Sequence, residues 1–275
     1  VKDTVYGSDL WGNNFLNDIL KDYPQAVVFS GHSHYPLEDE RSIHQGAFTS
    51  IGTSTLNYTE MEPGKINGSI PPHANDVVQM LYLEVTDQEI IIKRYDLLDN
   101  EEIKPDKRWK LSLPLQKDTF LYTNERKNER VAPEFSADAK INIQDKGTTT
   151  ASFIFDAATH NDFVHSYKFV LKEKSGDSYA VKKQFLMFSD FYRGLEKMAK
   201  QIAVSVADLK PNTAYQLETY AIESYGKESK PLTIQFNTNA ELDMPFNKKG
   251  DILDVDFITG RPRNNSGLDI YLENK

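Results

Sequence analysis

Trp11, Phe15, Leu16, Ile19 and Leu20 share one face of a 3.6-residue period, and Ser8 and Asp9 just ahead of them are good N-cap residues. The spacing predicts a helix that stops at Tyr23-Pro24, because proline disfavours helical geometry in the residue before it. Gln25-Ala26-Val27-Val28-Phe29-Ser30 follows as an apolar, β-branched run and predicts a short buried strand. It ends abruptly in Gly31-His32-Ser33-His34-Tyr35-Pro36. That order puts the two histidines at the carboxyl end of a strand, the edge where open α/β sheets bind ligands.

Farther along, Val77 to Val85 and Glu89 to Tyr95 read as strands joined by Thr86-Asp87-Gln88, and Arg108 to Pro114 alternates and stops at its proline. Residues 118 to 130 form a polar, charged linker. After Pro133 the pattern changes to seven short runs separated by turns, at 137–143, 149–155, 164–174, 179–188, 202–207, 213–223 and 232–238. Seven is the strand count of an immunoglobulin-like sandwich. Between the fourth and fifth, 188–200 is helix-like, with Phe191, Leu195 and Met198 as a packing stripe.

Composition narrows the classes. The 275 residues are 39% hydrophobic and 27% charged, an ordinary globular balance for about two domains. Forty-one acidic against 32 basic residues give a net charge of −9, the wrong sign for binding nucleic acid through its phosphates. Runs such as Ala26–Phe29 and Ile90–Ile92 are too short to span a bilayer. With no cysteine, a disulfide scaffold, a thiolate zinc site and a cysteine nucleophile are excluded. Val1 follows no leader pattern and Tyr271–Lys275 closes on a fresh strand-like run, so the chain reads as a fragment of a longer protein.

Two histidines at i and i+2 project to one side of an extended segment, with Ser33 pointing away and Gly31 allowing a tight turn. Neutral imidazoles suit transition-metal ions, and two rings can each hold one ion of a pair about 3.5–4 Å apart. The residues alone also allow a solvated His-x-His at a turn. His44, His73, His160 and His165 have no partner spacing; the first two read as surface or loop residues and no chemistry attaches to the others. Residues 63–73, punctuated by Gly and Pro, read as a loop, a candidate substrate-side flap.

A hydrophobic strand followed by Gly31-His32-x-His34, with Gln45 to Thr53 after it, resembles the last metal-binding motif of the calcineurin-like metallophosphoesterases. The resemblance implies that His32 and His34 each bind one ion of a two-metal centre holding Mn, Fe or Zn. The family's Asp-x-His, Gly-Asp-x-x-Asp, Gly-Asn-His and lone-His elements do not precede His32. Gly250-Asp251-Ile252-Leu253-Asp254 spells one of them far downstream, where only circular permutation would use it, and Gly12-Asn13-Asn14 lacks the histidine of another. Leu209-Lys210-Pro211-Asn212-Thr213-Ala214-Tyr215 resembles the tyrosine corner of fibronectin type III domains, in which the ring packs in the core and the hydroxyl returns to backbone.

These readings combine into an α+β, β-rich chain: residues 1–128 as the carboxyl-terminal portion of a metallophosphoesterase domain, 132–238 as a fibronectin type III-like sandwich, and 239–275 as the start of a further β module or tail. In that tail Asp251, Asp254, Asp256 and Asp269 fit solvated strand faces better than a calcium site, and Gly260-Arg261-Pro262 reads as a turn. The function expected is that of a fragment of a metal-dependent phosphoesterase, with no catalytic residue of its own and inactive alone. Its intact form would act on a phosphate-ester small molecule or nucleotide, beside further domains of the same polypeptide. The alternative is a non-catalytic cell-surface binding or adhesion module on a degenerate scaffold. Analogy of architecture places either one outside or on the surface of a bacterial cell.

Overall fold

The computed structural model describes residues 15–241, together with the backbone of two short paired strands, Asp254–Asp256 and Arg261–Arg263. Arg261 and Pro262 therefore lie in a strand rather than the expected turn. The start of the first helix, Gly12-Asn13-Asn14, and most of Gly250–Asp254 lie outside the described residues.

Two small sheets form the first unit. β1 (Val27–Ser30) runs parallel to β3 (Thr49–Gly52), and β2 (Ile43–Gln45) pairs antiparallel with β3 on its other side. The second sheet is antiparallel: β4 (Gln79–Val85) and β5 (Glu89–Asp96) form the expected hairpin, and β6 (Glu101–Ile103) and β7 (Trp109–Ser112) share the far edge of β5. Ile43 and Ile51 of one sheet pack on Ile92, Trp109 and Leu111 of the other, with Leu37 and Leu115 closing the cluster. Inside this core Arg94 is fully buried. It donates to Leu37 O (3.0 Å), Lys107 O (2.7 Å) and Glu40 Oε1 (2.8 Å), while its guanidinium stacks 4.5 Å from the Trp109 ring.

The sandwich is open on one side. β1 and β4 are both edge strands among the described residues. Between them runs a groove of about 370 Å³ lined by Phe29, Thr53, Leu56, Gln79, Leu81 and Leu83. β1 is consequently not the buried strand expected from its composition: with one neighbour strand, Phe29 stays 42% exposed. Helix α1 (Phe15–Leu20) buries none of its residues, and Phe15 is 66% exposed.

The second unit follows the expected strand plan at six of seven strands; the first begins at Ile141 rather than at 137, because residues 137–140 form a turn and its exit. β8 (Ile141–Lys146), β9 (Ala151–Asp156) and β12 (Gln201–Val206) form one sheet in the order β12-β9-β8. β10 (Ser166–Ser175), β11 (Ser178–Phe188), β13 (Ala214–Ile222) and β14 (Leu232–Asn237) form the other, in the order β11-β10-β13-β14. Strict alternation on β9 sends Ala151, Phe153 and Phe155 inward, onto Tyr167, Phe169, Tyr215 and Phe236. The tyrosine corner is present: Tyr215 is fully buried, and the Lys210 backbone N–H donates to its hydroxyl at 2.9 Å. This is a fibronectin type III-like sandwich.

The two units are fused by a shared core. Tyr35, Met61 and Val77 of the first pack against Phe163, Phe188, Phe191 and Tyr192 of the second. Residues 188–200 form two 3-10 turns, Phe191–Arg193 and Leu195–Lys197, rather than a helix, and their apolar stripe serves packing as expected. The candidate flap does not hang free: Ile66 forms a parallel bridge to Met187 of β11, with Ile66 N to Leu186 O at 2.7 Å and Phe188 N to Ile66 O at 2.9 Å.

Nor is the linker loose. Its short helix α2 (Arg126–Glu129) aims Arg126 at the carbonyls of Glu40 (2.9 Å) and Ile43 (2.7 Å), and the guanidinium lies over the rings of Tyr122 and Tyr225. Four residues on, Arg130 pairs with Asp162 (2.9 Å) and Glu223 (3.1 Å) of the second unit. Among the described residues no helix is long and apolar enough to cross a membrane.

Candidate metal-ligand loop

Residues 31–34 leave the carboxyl end of β1 beside the end of β3, where Thr53 N and Oγ1 both donate to Ser30 O, at 2.9 and 3.2 Å. The segment is not extended. His32 (φ 76°) and His34 (φ 51°) both adopt the left-handed region, whereas Gly31 does not. A Cβ at Gly31 would meet only Thr53 Oγ1, at an ordinary 3.7 Å. The turn is thus made by the histidines, not the glycine, and the alternation that was to aim both rings at one cavity does not apply. Left-handed geometry costs a non-glycine residue roughly 1–2 kcal/mol. Two such residues in four store strain of the kind found where a loop holds a working geometry.

What holds the strain is specific. The His34 carbonyl accepts from Thr59 Oγ1 (2.9 Å) and Glu60 N (3.1 Å). The His34 ring sits edge-on to Tyr58, 4.6 Å between centroids, with Nδ1 2.9 Å from the Tyr58 carbonyl. A carbonyl can only accept, so Nδ1 carries the proton. A backbone carbonyl on one ring nitrogen is the kind of partner that orients a metal-binding imidazole, and it leaves Nε2 as the nitrogen that would take an ion. His32 is exposed.

Among the described residues no group of three or more His, Asp or Glu converges to hold a metal ion. The described donors therefore do not amount to a two-metal centre. His44 is buried in β2, not on the surface as expected. His73 is an exposed loop residue paired with Asp76 at 3.1 Å, as its surroundings suggested.

The residue after His34 leads into a polar cluster that sequence reasoning missed. The Tyr35 hydroxyl lies 3.0 Å from His165 Nε2 and accepts from Arg41 at 2.9 Å. Arg41 also grips Asp39 (2.7 Å), reaches Glu62 (3.3 Å) and approaches His165 Nε2 at 3.0 Å. Because a guanidinium only donates, His165 Nε2 is an acceptor and the ring is neutral. Burial pushes the His165 imidazole down and the Tyr35 phenol up. Burial works against Asp39 and Glu62 as well. Arg41 nevertheless holds both Asp39 and Glu62 below the usual carboxylate range. The available signal was four consecutive charged residues, Glu38-Asp39-Glu40-Arg41, directly after an apolar Tyr-Pro-Leu. A run of charge at that point reads as a solvated turn.

No protein-family model matches the chain, and no curated protein does. Solved structures are similar over about two fifths of it. They include a chitinase from Bacillus thuringiensis (18% identity, 39% of this chain, 14% of the chitinase, TM-score 0.29). The third fibronectin III domain of the human KIAA0343 protein is also similar (16% identity, 41% of this chain, 85% of that domain, TM-score 0.29), as is FN3tt (15% identity, 40% and 97%, TM-score 0.26). The chain thus spans only a small part of the chitinase. The fibronectin-like assignment of the second unit rests on its strand order and tyrosine corner.

Proposed function

We propose that the first unit is the carboxyl-terminal part of a metallophosphoesterase domain, that His32 and His34 are two ligands of its metal centre, and that the second unit is a fibronectin type III-like accessory domain fixed to it. The supporting observation is the loop at the carboxyl end of β1, where the Tyr58 carbonyl engages His34 Nδ1 and leaves Nε2 as the nitrogen that would face an ion. The open edges of β1 and β4 agree with this reading, since they flank an apolar groove where further strands of a larger sandwich would pair.

In such an enzyme His32 and His34 would help hold a pair of Mn, Fe or Zn ions, which would supply Lewis-acid activation of the phosphate ester and of a water. Two imidazoles do not complete that centre, so the remaining ligands come from other segments and the described residues alone turn nothing over. The substrate is a phosphate-ester small molecule or a nucleotide, and the setting is extracellular or at a bacterial cell surface.

The test is the coding sequence ahead of Val1. Asp-x-His, Gly-Asp-x-x-Asp and Asn-His elements there, with phosphoesterase activity of the longer polypeptide lost in His32→Ala and His34→Ala, support the reading. A coding sequence without those elements overturns it in favour of a non-catalytic surface-binding module.

A further inference from the structure

The loop that carries His34 is anchored by a residue of the other unit. Tyr35 follows His34 directly, is 2% exposed, and extends its hydroxyl across the interface to His165 Nε2 at 3.0 Å. On the other side of His34, its carbonyl is held by Thr59 and Glu60, three and two positions before Glu62. Glu62 closes the ring by contacting Arg41 (3.3 Å), the Tyr35 hydroxyl (3.3 Å) and His165 (3.5 Å). Both chain segments that fix His34 therefore converge on the same buried imidazole. His165 is itself wedged between the rings of Phe188 and Phe191, 5.1 and 5.2 Å away, both in the core shared by the units.

We infer that His165 is a positioning residue for the His32–His34 loop, so that docking of the second unit and the ligand-ready geometry of His34 are one coupled equilibrium. A left-handed His34 relaxes unless its surroundings over-determine it. Its ring is pinned by a single bond to Tyr58 O, which survives only while segments 31–36 and 58–62 keep their spacing. The Tyr35–His165–Glu62–Arg41 cluster supplies that spacing. On this view the fibronectin-like unit is a part of the site's scaffold rather than a passive appendage. The value of the coupling for metal binding rests on the reading of His34 as a ligand; the coupling itself does not.

The experiment uses the full 275-residue chain without metal, so its outcome is independent of the phosphoesterase reading. Amide hydrogen exchange of residues 31–35 is compared in native protein, His165→Phe and His165→Gln, with ¹⁵N spectra of the histidine side chains. Phe keeps the ring packing but removes the acceptor, whereas Gln restores an acceptor near the position of Nε2. Exchange in the loop is expected to rise about tenfold in His165→Phe. The Nδ1–H signature of His34 is expected to be lost alongside, β10 and β13 to stay protected, and Gln to recover both signals. Tyr35→Phe, which cuts the same link from the first unit, provides the second reading should His165→Phe fail to fold. Loop exchange and the His34 signature unchanged in the folded variants would overturn the inference.

Discussion

His165 Nε2 and the Tyr35 hydroxyl meet at 3.0 Å across 130 positions of sequence, joining the second unit to the residue that follows His34. Around them stand Arg41, Asp39 and Glu62, with Lys65 on the outer side of Glu62 at 3.4 Å. An interface built this way is held by charge as well as by apolar packing, and its behaviour follows from the protonation of its members.

Acidification weakens the docking in two stages. His165 is depressed by burial, so its contribution is fully present above the ordinary histidine pKa of about 6.5 and falls as pH drops below it toward the folded value. Asp39 and Glu62 are held low by Arg41, so theirs is present above the ordinary carboxylate range and falls as pH drops through their folded values. Both signs agree. Native protein is expected to lose thermal stability from about pH 6.5 downward, and His165→Gln to lose less between pH 6.5 and 5. Melting curves across pH 4–8 check this.

Glu38 has the opposite sign. Burial pushes its carboxyl up to about 7, only partly offset by Gln79 Nε2, which donates to both oxygens at 2.8 and 2.9 Å. A raised carboxyl favours the folded state below its unfolded pKa, and that advantage is lost as pH rises through 7. Glu38→Gln is expected to leave stability near pH 5 almost unchanged and to raise it at pH 8 by about 1–3 kcal/mol. Denaturant midpoints at the two pH values measure the difference.

Tyr215→Phe removes the hydroxyl that receives the Lys210 N–H while keeping the ring stacked on Phe236. The lost bond is expected to cost about 1–2 kcal/mol of unfolding free energy. Arg94→Met is more severe. It removes the donor to Glu40 and to the Leu37 and Lys107 carbonyls, and although Glu40 keeps Lys104 and the Trp109 indole as partners the loss is expected to be about 3–5 kcal/mol in all. Urea unfolding of each variant, followed by Trp109 fluorescence, ranks the two.

Much of this was legible in the residues. Alternation on β9 and the β4–β5 hairpin follows from period-two patterning, and Leu-x-Pro-x-Thr-x-Tyr located a corner whose hydrogen bond is made. β1 misled because composition reports what a strand could bury, not how many neighbours it has; Phe29 is apolar and still 42% exposed. The His-x-His spacing located the loop but not its conformation, which depends on the distant bonds to Tyr58, Thr59 and Glu60. His165 was invisible for the same reason. Its polar partners Tyr35, Arg41 and Glu62 all lie more than a hundred positions away.

Exposed apolar side chains at the open edges should matter little to this chain's own folding. Phe29→Lys and Leu56→Lys are each expected to shift stability by no more than about 0.5 kcal/mol. Charge on such an edge opposes strand pairing, so both should reduce concentration-dependent self-association, read by light scattering.

The most direct measurement is a zinc titration of the chain followed by ¹⁵N spectra of its six histidines. A saturable shift of His34 Nε2, with Nδ1 still protonated and with His32 shifting in parallel, is the expected result. Zinc that shifts only other histidines such as His73 and His160, leaving His34 unmoved, would contradict the assignment of this loop as a metal-ligand loop.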